Sequence, residues 1–151
     1  MTLKNLSKNF YINLFLISLI FTIDRITKKY VIYLSDKEPL SSLFSSKFLN
    51  INLIWNEGVA FGLFSFDQNH FYNLLTMIIV IIILILLIIM VKSEGIKKYS
   101  LLMIFGGALG NLYDRFFYKA VPDFIDFHIE NFHWFIFNIA DIFITFGVIM
   151  L

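Results

Sequence analysis

Asp141 stands inside the last apolar run of the chain, WFIFNIADIFITFGVIML, seven residues past Trp134. A carboxylate in a membrane span is costly, so it usually faces a bundle interior or a wet cavity and marks proton handling or acid–base chemistry. Three more acidic residues, Asp114, Asp123 and Asp126, lie in the stretch that leads back to it. Two carboxylates sharing one proton can deprotonate water with one member and polarise a carbonyl with the other, the logic of an aspartic protease. Spacing alone leaves open whether Asp114 or Asp123 partners Asp141.

Other chemistries are poorly served. The chain has no Cys, which excludes disulfides, thiolate zinc sites and cysteine nucleophiles. His70, His128 and His133 lie outside the apolar spans, and no GxSxG or SxxK motif occurs. His128, Glu130 and His133 are close together but lack the HExxH helix spacing, so no metal is expected. A formal net charge of +1 offers no basic stripe for a nucleic acid, and none is expected as a partner.

Composition sets the class of scaffold. With 59% hydrophobic and 15% charged residues among 151, and a mean hydropathy of +0.80, the chain reads as one integral membrane domain. The expected fold is an all-α polytopic membrane protein with a small extracytoplasmic β element. Its four transmembrane helices are expected at about 10–33, 72–91, 98–116 and 132–151, with outer loops at about 34–71 and 117–131. The first apolar run, Phe10–Ile23, is too short by itself and must continue through DRITKKY. Lys4 and Lys8 before it suggest a signal peptide, but Asp24-Arg25 follows in place of a small-residue cleavage site, so a retained anchor is expected. Lys4, Lys8, Lys92, Lys97 and Lys98 favour both termini inside. The acidic cluster then lies near the outer face, with Asp141 about 10 Å down a helix that starts near Trp134.

The outer segment also carries a pattern. Phe48–Trp55 alternates as a half-buried strand, Asn56-Glu57-Gly58 supplies a turn, and Val59–Phe64 is expected to return as a second strand. In the spans, Asp24 and Lys28 are i, i+4 and can pair. Asn111 with Asp114, and Asn138 with Asp141, are i, i+3, so each amide is expected to hold its carboxylate. Gly106, Gly107, Ala108 and Gly110 let a helix or a peptide backbone come close, and packing alone explains them equally well.

GGALGNLYDR (106–115), VPDF (121–124), FNIAD (137–141), NEGVAFG (56–62) and DRITK (24–28) together resemble the bacterial lipoprotein signal peptidase family, signal peptidase II. The resemblance implies an aspartyl endopeptidase, multi-pass in the bacterial inner (plasma) membrane and monomeric, without cofactor or metal. Its partners would be membrane lipids and the signal peptides of lipidated prolipoproteins, cut on the N-terminal side of the diacylglyceryl-modified Cys. By resemblance Asp123 and Asp141 are the catalytic pair. Asn56, Gly58, Asn111, Asp114, Arg115, Asn138 and Ala140 would line or brace the site, with Asp24 and Lys28 supporting. Asp114, beside Arg115 and above Asn111, suits a structural ion pair. The segment around Trp55–Phe64 would cover the site, with Gly58 as its pivot and Asn56 touching the substrate main chain. Arg25, Pro122 and Phe135 depart from the family pattern without removing a carboxylate or an amide.

Two other functions compete with this reading. A proton-coupled transporter should show internal repeats or a polar path through both leaflets, whereas the second span is wholly apolar. A structural subunit of a larger complex is the blander alternative. Turnover of a lipid-modified peptide separates all three.

Overall fold

The computed structural model describes residues 3–37, 43–58, 68–130 and 132–151. Helix α1 runs unbroken over Leu3–Lys37, a stretch with neither Gly nor Pro. It therefore carries DRITKKY as helix, as the short first apolar run requires. Helices α2 (Gln68–Val91) and α3 (Gly95–Tyr118) are joined by 92–94 only, which makes them antiparallel neighbours. Helix α3 is the hub and packs against α1, α2 and α4 (Ile139–Met150). Two helical stretches, Phe10–Lys37 and Tyr72–Val91, are long and apolar enough to cross a bilayer by length and composition.

Polarity is inverted relative to a water-soluble bundle. Leu74, Ile78, Ile81 and Ile85 on α2 are exposed, whereas Asp24, Lys28, Ser100, Asp114 and Asn138 are at most 1% accessible. The apolar surface needs a nonaqueous surrounding and the interior must satisfy its own polar groups.

The sheet departs from expectation at its third strand. Strand β2 (Leu49–Asn56) forms within a residue of its expected position. Its neighbours are β1 (Phe44–Ser45) and β3 (Val121–Ile129), in the antiparallel order β1-β2-β3-β4 with β4 at Phe132–His133. The expected return strand Val59–Phe64 lies outside the described residues. Strand β3 instead occupies the stretch assigned to an outer loop. Pro122, Asp123 and Asp126 hide its alternation, because this strand buries carboxylates as well as Val121 and Phe124.

The fourth helix also starts late. It begins at Ile139, whereas 132 was expected. Phe137 donates its N–H to the Ile125 carbonyl at 3.1 Å and accepts from Ile125 N at 2.8 Å, so the aromatic run is tied to β3 at both its ends, Phe132–His133 and Phe137, and is not helical. That run, FHWFIF, is strand-prone, and β3 supplies the edge it pairs with. Asp141 consequently sits in the first turn of α4 and not two turns down a helix.

Helices α1 and α3 are joined by a charge cluster. Arg25 forks onto Asp114, with Nη1 on Oδ1 and Nη2 2.7 Å from Oδ2. The same Nη2 lies 2.6 Å from Asp24 Oδ2. Lys28 Nζ bridges Asp24 Oδ1 at 3.0 Å and Asp114 Oδ2 at 2.7 Å. The i, i+4 pairing of Asp24 and Lys28 forms as expected. Asp114, however, takes its cations from α1 and not from Arg115, because the two helices touch along this line. Arg115 lies against Tyr72, whose hydroxyl donates to the Arg115 carbonyl at 2.9 Å. The close approach depends on the glycines. A Cβ on Gly110 would lie 2.6 Å from Asp24 Oδ2, and one on Gly107 would lie 2.5 Å from the Ala140 carbonyl oxygen.

Removing one carboxylate from this cluster leaves two buried cations facing a single anion. Asp114→Asn should therefore destabilise the folded protein by about 3–5 kcal/mol. Denaturation in detergent would measure it, and a parent-like midpoint for the variant would show that the cluster is dispensable.

Candidate active site

Strand β3 and the cap of α4 bring Asp123 and Asp141 to one place. Asn138 joins them. Its backbone N–H donates to Asp141 Oδ2 at 3.1 Å, and its side-chain Nδ2 donates to Asp123 Oδ1 at 2.6 Å. Its Oδ1 accepts the Asp141 N–H at 3.2 Å, which completes a reciprocal capping box at the start of α4. The expected Asn138–Asp141 pairing therefore exists, but as a helix cap, with the amide N–H₂ turned to the other carboxylate.

Asn111 holds Asp141 from the α3 side, with Nδ2 2.8 Å from Asp141 Oδ1. It was expected to hold Asp114. Its Oδ1 instead receives Lys28 Nζ at 2.8 Å and Asn138 Nδ2 at 3.2 Å. Two donors on that oxygen leave the N–H₂ end to face a carboxylate. Asn56, at the end of β2, donates Nδ2 to Asp123 Oδ2 at 2.9 Å, and its Oδ1 accepts Gly58 N at 2.8 Å. The amide expected to touch a substrate main chain is thus engaged with Asp123 and its own turn. Gly58 has φ +76°, and a Cβ there would lie 2.7 Å from Leu75 Cδ2 and 2.9 Å from Arg115 Nη1. Backbone conformation and space both call for glycine.

Asp123 is 4% accessible. Burial pushes its carboxyl above the ordinary value, the bonds from Asn56 and Asn138 oppose this, nearby Asp141 adds to it, and the Lys28 charge opposes it. Asp141 is half-buried at the end of a cavity of about 560 Å³ whose walls include Phe127, Phe132, Trp134, Phe137, Ile142 and Phe146. The site is thus a pair of carboxylates, oriented by three asparagines, at the wall of an apolar chamber. Such a pair can perform acid–base hydrolysis of a bond held in the chamber.

Asn56, Asn111 and Asn138 bond the pair directly, Asp24, Lys28, Asp114 and Ala140 lie in the network behind it, and Arg115 lies apart, against Tyr72 and Gly58. Ala140 is fully buried between α3 and α1, and its N–H donates to Asp24 Oδ1 at 3.1 Å. Lys28 touches both Asp114 and Asn111, and so connects the charge cluster to the site. Asp114 lies in that cluster, away from Asp141's bonds, which leaves Asp123 as the neighbour that shares Asn138 with it. The residue missed as a participant is Arg25. Its signal was a second charge next to Asp24 in an apolar helix, a placement that calls for a buried counterion.

Comparison with known proteins points to one family. The family model described as Signal peptidase (SPase) II matches residues 16–151. The lipoprotein signal peptidase of Pelagibacter ubique (strain HTCC1062) is 51% identical over 144 residues, covering 95% of this chain and 87% of the relative. That of Francisella tularensis subsp. mediasiatica (strain FSC147) is 42% identical over 118 residues, covering 76% and 73% respectively. Two bacterial membrane enzyme structures solved by the in meso method superpose with TM-scores of 0.73 and 0.68 at 30% and 32% identity. Each covers 91% of this chain, which in turn covers 88% and 83% of them. With a family match over nearly all of its length, similar folds and two carboxylates converging on one asparagine, the chain belongs to the signal peptidase II family.

Proposed function

We propose that this protein is an intramembrane aspartyl endopeptidase that removes signal peptides from diacylglyceryl-modified prolipoproteins, cutting on the N-terminal side of the lipidated Cys. The observation that carries the reading is Asn138, which hydrogen-bonds Asp141 with its main chain and Asp123 with its side chain. The apolar chamber beside Asp141 offers room for acyl chains or an apolar signal segment. In this reading α1, α2 and α3 span the bacterial inner membrane, α4 enters it from the outer face, and the monomer's site lies near that face with the N-terminus inward.

The environments of the two carboxyls suggest a division of labour. Asp123, raised by burial, is the member that carries the shared proton. Asp141 lies in the first turn of α4 and accepts two N–H bonds, at the helix end that attracts negative charge. Asp141 takes a proton from water as the oxygen attacks the scissile carbonyl, while Asp123 donates a proton to the carbonyl oxygen. The tetrahedral intermediate collapses when the carboxyl now protonated, Asp141, delivers its proton to the leaving amine of the Cys. Asp123 recovers its proton as the new carboxyl group forms. Lys28 and the asparagines hold the geometry without entering the proton transfers.

The direct experiment is in vitro processing of a prolipoprotein before and after its Cys is lipidated, with cleavage expected only after. Asp123→Asn and Asp141→Asn should each abolish turnover while the protein remains folded, and substantial activity in either variant removes that residue from the pair. A pair of carboxyls needs no metal, so EDTA or 1,10-phenanthroline should leave turnover unchanged; loss restored by zinc would point to metal-assisted hydrolysis. The pH profile tests the proton assignment. A raised carboxyl stays protonated to higher pH, so the alkaline limb of kcat/KM marks loss of the Asp123 proton. Asn56→Ala removes a donor that favours the ionised form, and should move that limb to higher pH. A limb that stays put or moves down would assign the proton elsewhere.

A further inference from the structure

A second cluster of metal-ligating side chains lies on the hairpin formed by β3 and β4. Asp126 and His128 are i, i+2 on β3, so they share one face of the strand, opposite to that of Asp123. His133 on β4 is the cross-strand partner of His128. Each of the three residues offers one ligand atom, and these atoms all lie within 4.8 Å of one another. His133 Nδ1 is 2.9 Å from Asp126 Oδ2 and 3.1 Å from Oδ1, and the two imidazole rings stack with centroids 5.1 Å apart. The sequence reading had placed Glu130 with these histidines. In the hairpin Glu130 takes the turn, at φ 53°, and Asp126 stands in its place beside them.

We propose that Asp126, His128 and His133 form a binding site for a zinc-class divalent cation, separate from the carboxylate pair. Two imidazoles and a carboxylate are a donor set that late first-row cations favour, with a fourth position left to water. Tetrahedral zinc with bonds near 2.1 Å needs ligand atoms roughly 3.4 Å apart. The Asp126–His133 contact is already close to that spacing, and His133, with its side chain 53% accessible, can rotate to close the remainder. A second observation points the same way. His128 Nδ1 is buried and has no hydrogen-bond partner among the described residues, while Asp126 is 5% accessible. A buried imidazole nitrogen without a partner is costly, and a cation bound through it would satisfy the group. The sheet supplies the rigidity: Trp134 N donates to the Phe127 carbonyl at 2.8 Å and His128 N to the Phe48 carbonyl at 3.1 Å, on either side of the ligands. His128 and Asp141 both line the apolar chamber, but the cation takes no part in hydrolysis, and its removal leaves turnover as it was.

The test is zinc titration into the detergent-solubilised full chain by calorimetry, with cobalt(II) absorption reporting the ligand field. One metal per chain is expected, with visible cobalt bands of a low-coordinate nitrogen and oxygen site. His128→Ala/His133→Ala should weaken zinc binding by more than the roughly 10- to 100-fold that loss of an outer hydrogen-bond partner causes. The milder His133→Gln should also weaken it and retains a folded hairpin, since this side chain is half exposed. Glu130→Gln should bind like the parent. The Asp123→Asn/Asp141→Asn protein should bind zinc unchanged, whether or not those residues catalyse hydrolysis. Absence of binding by the parent, parent-like affinity in both histidine variants, loss of binding in Glu130→Gln, or loss in the Asp123→Asn/Asp141→Asn protein would each overturn the site.

Discussion

Two cations and two carboxylates cannot sit unpaired in the interior of this bundle, and the architecture follows from how they are paired. Asp24, Arg25 and Lys28 come from one turn of α1, and Asp114 comes from α3. The cluster is neutral in sum, and every charge in it meets an opposite one within 3.0 Å. Its worth lies less in net stability than in register. Replacing a buried ion pair with apolar side chains is often neutral or stabilising, whereas losing one member is severe. Sliding α1 against α3 by a single residue would strand Asp114 and leave Arg25 and Lys28 sharing Asp24 alone, so the pairing specifies one alignment of the helices.

That alignment propagates to the catalytic candidates through Lys28. Its ammonium is shared among Asp24, Asp114 and the Asn111 oxygen, and the orientation of the Asn111 amide follows. With the oxygen occupied, the N–H₂ group must face Asp141. Asn138 is oriented by the same logic, since its oxygen caps α4 and its N–H₂ group is left for Asp123 and Asn111. The chain of bonds from Arg25 to Asp123 thus has alternating donors and acceptors with no free choice of amide rotamer. A proton moving at the carboxylates meets fixed dipoles, which need not reorganise as charge develops.

Much of this was legible in the residues. A long apolar α2, a continuous α1 and strand β2 followed from hydropathy and alternation, and Asp141 was conspicuous because a carboxylate is costly in an apolar run. The i, i+4 rule found Asp24 and Lys28. What the residues concealed was long-range. Spacing paired Asn138 with Asp141, and that pair forms as a helix cap. The same argument paired Asn111 with Asp114, whereas Asn111 turns its N–H₂ to Asp141, 30 residues on, and Asn138 turns its own to Asp123, 15 residues back. Strand β3 escaped because its inward positions include aspartates, which read as loop when burial is assumed to be apolar. The start of α4 escaped for a related reason. Aromatic residues fit a membrane helix and a strand equally well, and only the neighbouring edge of β3 decides between them.

Asn138 leaves a thermodynamic signature on the site. The residue that closes the first turn of α4 is also the one that bonds Asp123, so fraying of this helix end would separate the two carboxyls. Helix ends open more readily than the body of a fold, with local free energies well below that of global unfolding. If the two carboxyls are the proposed catalytic pair, the opening of this cap would contribute to the fraction of molecules competent to react. A substrate that binds only the closed form would draw that equilibrium toward alignment, and its own binding would order the machinery that cuts it.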